Sequence, residues 1–145
     1  MKYISRNLED TSRIAEKLLA KILKTPKRKN SACIVLLSGN LGAGKTAFVK
    51  AIAKILGIKE RITSPTFVLM RKYGIPEGGK LIHIDAYRLE NKKELTALNW
   101  DAISRDSRNI IFLEWPEKVF TRSPRGAKKI AFKFVDEKTR EINFL

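Results

Sequence analysis

The most constraining stretch of this chain is Gly39-Asn40-Leu41-Gly42-Ala43-Gly44-Lys45-Thr46. It fits G-x-x-x-x-G-K-[ST], the loop that cradles nucleotide phosphates. Small residues let successive backbone N–H groups, here those from Asn40 to Ala47, curl around a triphosphate with no Cβ in the way. Lys45 then reaches the β- and γ-phosphates, and the Thr46 hydroxyl binds Mg²⁺. The following helix points the positive end of its dipole at the anion. By composition alone such a string arises in on the order of one in two hundred chains of this length. The flanks favour a phosphate loop over a ligand-free glycine turn. Cys33-Ile34-Val35-Leu36-Leu37 reads as a fully buried strand. Phe48, Val49, Ile52, Ile55 and Leu56 recur at helical spacing up to a Gly57 stop.

The 145 residues are expected to form one domain, 1–145, with a proper core. No apolar run approaches the roughly 20 residues of a membrane span. Residues 1–6 lack the apolar stretch of a signal peptide. Cys33, the one cysteine, falls in the expected buried strand, where a small core hydrophobe is its ordinary role. These features fit a reducing cytoplasm. Thirty Lys+Arg against fifteen Asp+Glu give a net charge of +15. That excess favours polyanionic partners, nucleic acid first and an acidic protein second, although a solvated basic surface is the ordinary alternative.

Ile14, Leu18, Leu19, Ile22 and Leu23 place a helix over Leu8–Leu23, with Asn7 as its N-cap and Glu9 and Asp10 in its first turn. Residues 25–30 form a basic loop. Thr66–Tyr73 and Leu81–Asp85 read as strands, and the short turn between them makes the pair antiparallel. A short helix fits Asn91–Leu98, residues 100–107 are ambiguous, and Asn109–Leu113 is another buried strand. Residues 121–129 are basic and loose. Ile130, Phe132 and Phe134, with Ile142 and Phe144, alternate as a closing hairpin at a sheet edge.

A triphosphate site needs carboxylates to hold Mg²⁺ and orient the attacking water. Asp85 and Glu114 each end an apolar strand, where ligands of open α/β sheets bind. Either residue suits either role: ligating the metal, directly or through a water, or orienting the nucleophile. Thr63, Ser64 and Thr66 form a hydroxyl-rich turn of the kind that closes over a γ-phosphate. Asp85-Ala86-Tyr87-Arg88 lacks the glycine of a GTPase D-x-x-G, and Asn91-Lys92-Lys93-Glu94 ends in Glu where a guanine-reading N-K-x-D has Asp, so ATP is favoured. His83 shares a strand face with Asp85, either as a satisfied core histidine or as support for the site. Trp100 reads as packing, and Trp115 borders the site or stacks in it.

Four strings occur in order: Ser38-Gly39-Asn40-Leu41-Gly42-Ala43-Gly44-Lys45-Thr46, Ser64-Pro65-Thr66-Phe67, His83-Ile84-Asp85-Ala86-Tyr87-Arg88-Leu89 and Leu113-Glu114-Trp115-Pro116. Together with Glu9-Asp10-Thr11 they resemble TsaE (YjeE), the bacterial ATPase family of tRNA threonylcarbamoyladenosine biosynthesis. The resemblance implies a P-loop NTPase-like three-layer α/β/α domain around a mixed parallel/antiparallel sheet. It implies ATP and Mg²⁺ in the loop, Thr46 and Glu114 near the metal, Asp85 in the active site and Thr11 close to the nucleotide. It further implies a switch-like S-P-T-F segment, Trp115 at the site's border, and Arg140 as a C-terminal arginine near the nucleotide. Partners would be the TsaD and TsaB subunits, which transfer threonylcarbamoyl to an adenosine beside the tRNA anticodon, with ATP hydrolysis supporting their turnover. Asn40 stands where the family usually has Asp, and the positive charge exceeds the family's habit, which favours direct tRNA contact. Two other functions fit the residues: a small-molecule P-loop kinase, with Arg122–Lys129 as its lid, and a nucleic-acid-stimulated ATPase.

Overall fold

Two apolar runs with no polar alternation need cover on both faces, and the chain supplies it with helices on either side of one sheet. The computed structural model describes residues 1–65 and 68–145. Its elements are β1 (Lys2–Ser5), α1 (Leu8–Lys24), β2 (Cys33–Ser38), α2 (Lys45–Ile55), β3 (Met70–Gly74), β4 (Lys80–Asp85), α3 (Lys92–Thr96), α4 (Trp100–Arg105), β5 (Ile110–Glu114), a 3₁₀ turn (Pro116–Lys118), β6 (Lys128–Phe134) and β7 (Arg140–Phe144). The seven strands lie in the order β1-β7-β6-β2-β5-β4-β3. β2 pairs parallel with both β5 and β6, and β4 pairs parallel with β5. The outer pairs β3–β4, β6–β7 and β1–β7 are antiparallel, so the sheet is mixed as expected. Among the described residues, no helix is long and apolar enough to cross a membrane.

Helices α1 and α2 pack on one face of the sheet, where Leu18, Ile22, Val35, Leu37, Phe48, Ile52, Leu81 and Phe112 form the larger core. Phe48 of α2 meets Phe112 of β5 and Phe132 of β6 edge-to-face, with centroids 6.3 and 5.4 Å apart. That pair of contacts fixes α2 onto two strands at once. On the other face Ile34, Leu36, Ile82, Ile84, Ile111 and Leu113 pack under α3 and α4 with Leu95 and Trp100. Trp100 stacks on Phe120 at 5.6 Å and is buried, in keeping with a packing role.

Local chemistry sets the helix ends. Asn7 Oδ1 accepts the Asp10 N–H at 2.7 Å while Asp10 Oδ2 accepts the Arg6 N–H at 2.9 Å, a reciprocal cap on α1. Gly57, at φ +81°, ends α2 in the left-handed conformation that favours glycine. Asn91 caps α3 by accepting the Glu94 N–H.

Two sequence expectations need correction. Lys2–Ser5 is a strand, too short to show an alternation of its own; it pairs with β7 and takes the sheet edge that the β6–β7 hairpin was expected to occupy. β3 starts at Met70, because Leu69 adopts φ +67° and its carbonyl accepts the Asp85 N–H outside the ladder. Thr66 and Phe67, expected to open that strand and to complete the S-P-T-F switch, lie outside the described residues. Residues 100–107, ambiguous in sequence, hold α4.

Candidate active site

The loop between β2 and α2 has the shape its spelling predicts, but its glycines serve different ends. Gly39, Gly42 and Gly44 all have positive φ, at +138°, +77° and +103°. A Cβ on Gly39 would lie 2.5 Å from the Phe132 carbonyl oxygen, so this glycine lets β6 approach the loop. A Cβ on Gly42 would meet nothing within 4 Å. That opening leaves room for a phosphate beside the loop, and a side chain there would take up part of it. Ala43 is buried, while Asn40 and Leu41 face solvent. Gly44, at the start of α2, has no side-chain cap, which leaves its first N–H groups turned toward the loop.

Lys45 is 4% exposed. Its Nζ donates to the Gly39 carbonyl and, at 3.3 Å, to the Asn40 carbonyl, and it lies 4.4 Å from the Trp115 ring centroid. Burial pushes the Lys45 ammonium below its ordinary pKa, and the nearby Glu114, Asp85 and Glu117 carboxylates pull it back up. The lysine therefore already sits among the acidic groups. Thr46 and Ala47 continue into the first turn of α2, half-buried.

The two acidic residues are register partners across β4 and β5: Asp85 opposes Glu114, and Glu114 opposes Leu37 of β2. Both end their strands at the edge of the sheet from which the phosphate loop springs. The strand ends are tied together, since Ala86 N–H donates to Glu114 O at 3.0 Å and Trp115 N–H to Leu37 O at 3.2 Å. Asp85 Oδ1 accepts the Tyr87 N–H at 3.0 Å. Glu114 is 4% exposed and its Oε2 accepts from His83 Nε2 at 2.5 Å. His83 is fully buried, and its Nδ1 has no hydrogen-bond partner among the described residues. Period-2 alternation puts Leu81, His83 and Asp85 on the α2 face with Phe112 and Glu114, which is how a residue on β4 reaches one on β5. His83 thus supports the site, through Glu114 rather than through its own strand neighbour.

Trp115, at φ +59°, turns the chain sharply after β5 and brings its ring to Tyr87, 5.0 Å between centroids. A bulky residue held in the left-handed region carries local strain, which concentrates at functional sites. Arg140, at the start of β7, donates Nε to Gly42 O at 3.0 Å and Nη1 to Asp136 O at 2.5 Å, and its guanidinium lies 4.5 Å from the Phe134 ring centroid. It therefore lies directly on the loop. Thr11 connects to this group through β1: its buried hydroxyl lies 2.7 Å from Ser5 Oγ and 3.3 Å from Asn7 O, and Ser5 is the register partner of Arg140. The segment expected as a kinase lid is divided: Ser123 and Lys129 line a cavity with Ser38 and Glu117, while residues 125–128 line one with Cys33 at the far end of β2.

Sequence inspection missed the His83–Glu114 bond, the Tyr87–Trp115 stack and the packing duty of Gly39. The first was signalled by the period of β4; the other two depend on contacts between distant segments.

The described residues hold no cluster of three or more His, Cys, Asp or Glu able to hold a metal alone. Mg²⁺ is a fitting exception, because it binds through one or two protein oxygens with phosphates and waters completing its shell.

Comparison with known proteins agrees with this geometry. The profile of a family described as "Threonylcarbamoyl adenosine biosynthesis protein TsaE" matches residues 5–142. A tRNA threonylcarbamoyladenosine biosynthesis protein TsaE from Treponema pallidum is 33% identical over 144 residues, spanning 98% of both chains. One from Aquifex aeolicus is 39% identical over 112 residues, 76% of this chain and 72% of the relative. The crystal structure of Bacillus subtilis YdiB superposes with a TM-score of 0.65 at 29% identity, covering 99% of this chain and 83% of that one.

Proposed function

The chain belongs to the TsaE family of tRNA threonylcarbamoyladenosine biosynthesis proteins, and we propose that it is the Mg²⁺-dependent ATPase of that pathway. In this reading residues 1–145 act as one ATPase domain in the cytoplasm. The domain supports turnover of TsaD and TsaB, the subunits that modify the adenosine next to the anticodon. The observation that carries the proposal is the register pairing of Asp85 with Glu114 beside a buried Lys45 and an open glycine cradle. Such a set suits phosphoryl transfer to water, which depends on positioning and charge neutralisation more than on covalent chemistry.

Each residue has a role that follows from its place. The N–H groups of Asn40 to Ala47, with Leu41, Gly42, Ala43 and Gly44 keeping the loop narrow, would bind the phosphate oxygens of ATP. Lys45 would exchange its two carbonyl partners for those oxygens, a move of one flexible side chain across its own loop. Thr46 and one of the two carboxylates would hold Mg²⁺, which supplies positive charge between the phosphates. Glu114, with one oxygen engaged by His83, keeps the other for the metal or for orienting water; Asp85 takes the remaining duty. Trp115 and Arg140 would line the nucleotide on opposite sides of the loop. Thr11, held by Ser5 opposite Arg140, would approach the nucleotide from the β1 side. Asn40 is solvent-facing, so the Asp that the family usually has there would add charge at the loop's rim rather than inside it. The +15 charge suits direct contact with tRNA.

Reconstituted tRNA modification with TsaD and TsaB, followed over several turnovers, is the test. Lys45→Ala and Glu114→Ala should each abolish the contribution of this protein while the thermal unfolding midpoint stays near that of the parent. Normal modification with both variants would rule the reading out. Phosphorylation of a metabolite panel without TsaD and TsaB would favour the small-molecule kinase instead, and ATPase stimulation by unrelated RNA would favour the nucleic-acid-stimulated ATPase.

A further inference from the structure

The basic charge is not spread evenly. At the end of β2 opposite the phosphate loop, the last turn of α1, residues 25–34 and residues 125–128 enclose a cavity of about 280 Å³. Its floor is apolar, with Ile22, Ala32 and Ile34 buried and Cys33 half-buried. Its rim is cationic: Lys24, Lys27, Arg28, Arg125 and Lys128, with no carboxylate among the lining residues. A second depression shares Arg28, Ser31, Ile34 and Arg125 with it and adds Lys29 and Arg105, again with no carboxylate. None of these seven side chains makes an ion pair among the described residues; Lys27 and Lys128 donate to the Ser107 and Gly126 carbonyls. α1 ends here with the negative end of its dipole, and the Thr25 hydroxyl bonded to Lys21 O, with Lys24 beside it, screens that end.

We propose that this groove binds single-stranded RNA, with an unpaired base in the apolar cavity and flanking phosphates on the cationic rim. RNA repeats a flat, largely apolar base and an anion at every step, which is the pairing of surfaces found here. The cavity is close to the lower end of ligand-pocket volumes, about 300 Å³, so it suits one base rather than a larger group. An acidic peptide would match the rim but has no reason to fill the floor. The strand rise separates the groove from the phosphate loop by about 17 Å, so RNA and nucleotide would occupy opposite ends of β2 at once. The choice of RNA rests on the pathway assigned above; the groove itself is independent of whether ATP is hydrolysed.

The test uses the whole chain and an unmodified tRNA anticodon stem-loop, read by fluorescence anisotropy. Lys27→Glu/Arg28→Glu/Arg125→Glu should weaken binding at least tenfold and lower the salt slope by about two, at roughly 0.7 per lost phosphate contact. Lys17→Glu/Lys50→Glu/Lys93→Glu, the same charge change at exposed positions elsewhere, should change it less than threefold. Both triple variants should melt like the parent. Cys33, the single cysteine, reports on the cavity: bound stem-loop should slow its alkylation by a maleimide at least fivefold, and heparin at matched occupancy should not. Equal losses from the two triples, unchanged alkylation with RNA bound, or equal protection by heparin would each overturn the proposal. Lys45→Ala should bind the stem-loop normally, so loss of the ATPase reading and loss of this one are told apart.

Discussion

The two flanks of β2 are built on different principles. Toward β5 and β4 the strands are buried on both faces beyond Lys80, and each ends in a carboxylate, Asp85 or Glu114, with His83 as the one polar residue between. Toward β6 and β7 the strands alternate, with polar residues along their length, and the site receives Arg140 from the start of β7 and a backbone oxygen from Phe132. The first flank contributes chemistry through strand ends held in register by the hydrogen-bond ladder. The second contributes shape: it presses on Gly39 and bonds the Gly42 carbonyl, and so holds the loop in its open curve before any ligand arrives. The two carboxylates are positioned by the parallel core, and the loop beside them is held by the antiparallel rim.

Breaking the first flank should have the larger effect. Glu114→Gln keeps an acceptor for His83 Nε2 but removes the charge, and ATP hydrolysis in the presence of TsaD and TsaB should fall on the order of 100-fold with little change in thermal midpoint. A variant that retains activity would move the catalytic carboxylate to Asp85 alone. The second flank is tested by stability. Gly39→Ala forces a methyl group against the Phe132 carbonyl and should cost about 1–3 kcal/mol in chemical denaturation, by overpacking and by its positive φ. Gly42→Ala meets open space, so its stability cost should stay near 1 kcal/mol while nucleotide binding, measured by titration calorimetry, is lost. Equal stability costs would mean that β6 does not shape the loop. Arg140→Ala should weaken nucleotide binding about tenfold and leave the fold intact, since the arginine holds the loop from its exposed side.

The smallest effect lies at the turn that carries Arg140. The Lys138 N–H, the Thr139 hydrogen bond and the Arg140 charge hold the Asp136 carboxyl below its ordinary pKa of 3.8. A carboxylate with a depressed folded pKa contributes stability that is complete above 3.8 and is lost as pH falls through the lower folded value. Asp136→Asn should therefore lower stability slightly at pH 7 and flatten the acid limb of the curve, so that variant and parent converge as pH falls below about 4.

The elements with strong local signals were legible from sequence. Asn7 and Glu9-Asp10 marked the start of α1, Gly57 the end of α2, and the apolar runs before Asp85 and Glu114 the strands that carry them. β1 was not legible, because four residues that pair only with β7 carry too little pattern. The start of β3 was hidden by the left-handed backbone of Leu69, which a β-branched and aromatic stretch does not advertise. The link from His83 to Glu114 could have been read from the period of β4 once β4 and β5 were known to be neighbours; adjacency was the missing fact.

By itself the sequence determined that a G-x-x-x-x-G-K-T loop lies between a buried strand and a helix, that two strand ends bear carboxylates, and that the chain resembles one family along nearly its whole length. Those properties are local: spacing, backbone permissiveness and burial pattern are written residue by residue. Only the tertiary structure decided that Asp85 and Glu114 are register partners, that His83 engages Glu114, that Gly39 yields to β6 while Gly42 faces open space, and that unpaired cations gather around a cavity at the far end of β2. These depend on which strands become neighbours, and strand order is set by the packing of the whole sheet between its helices, which no single stretch encodes.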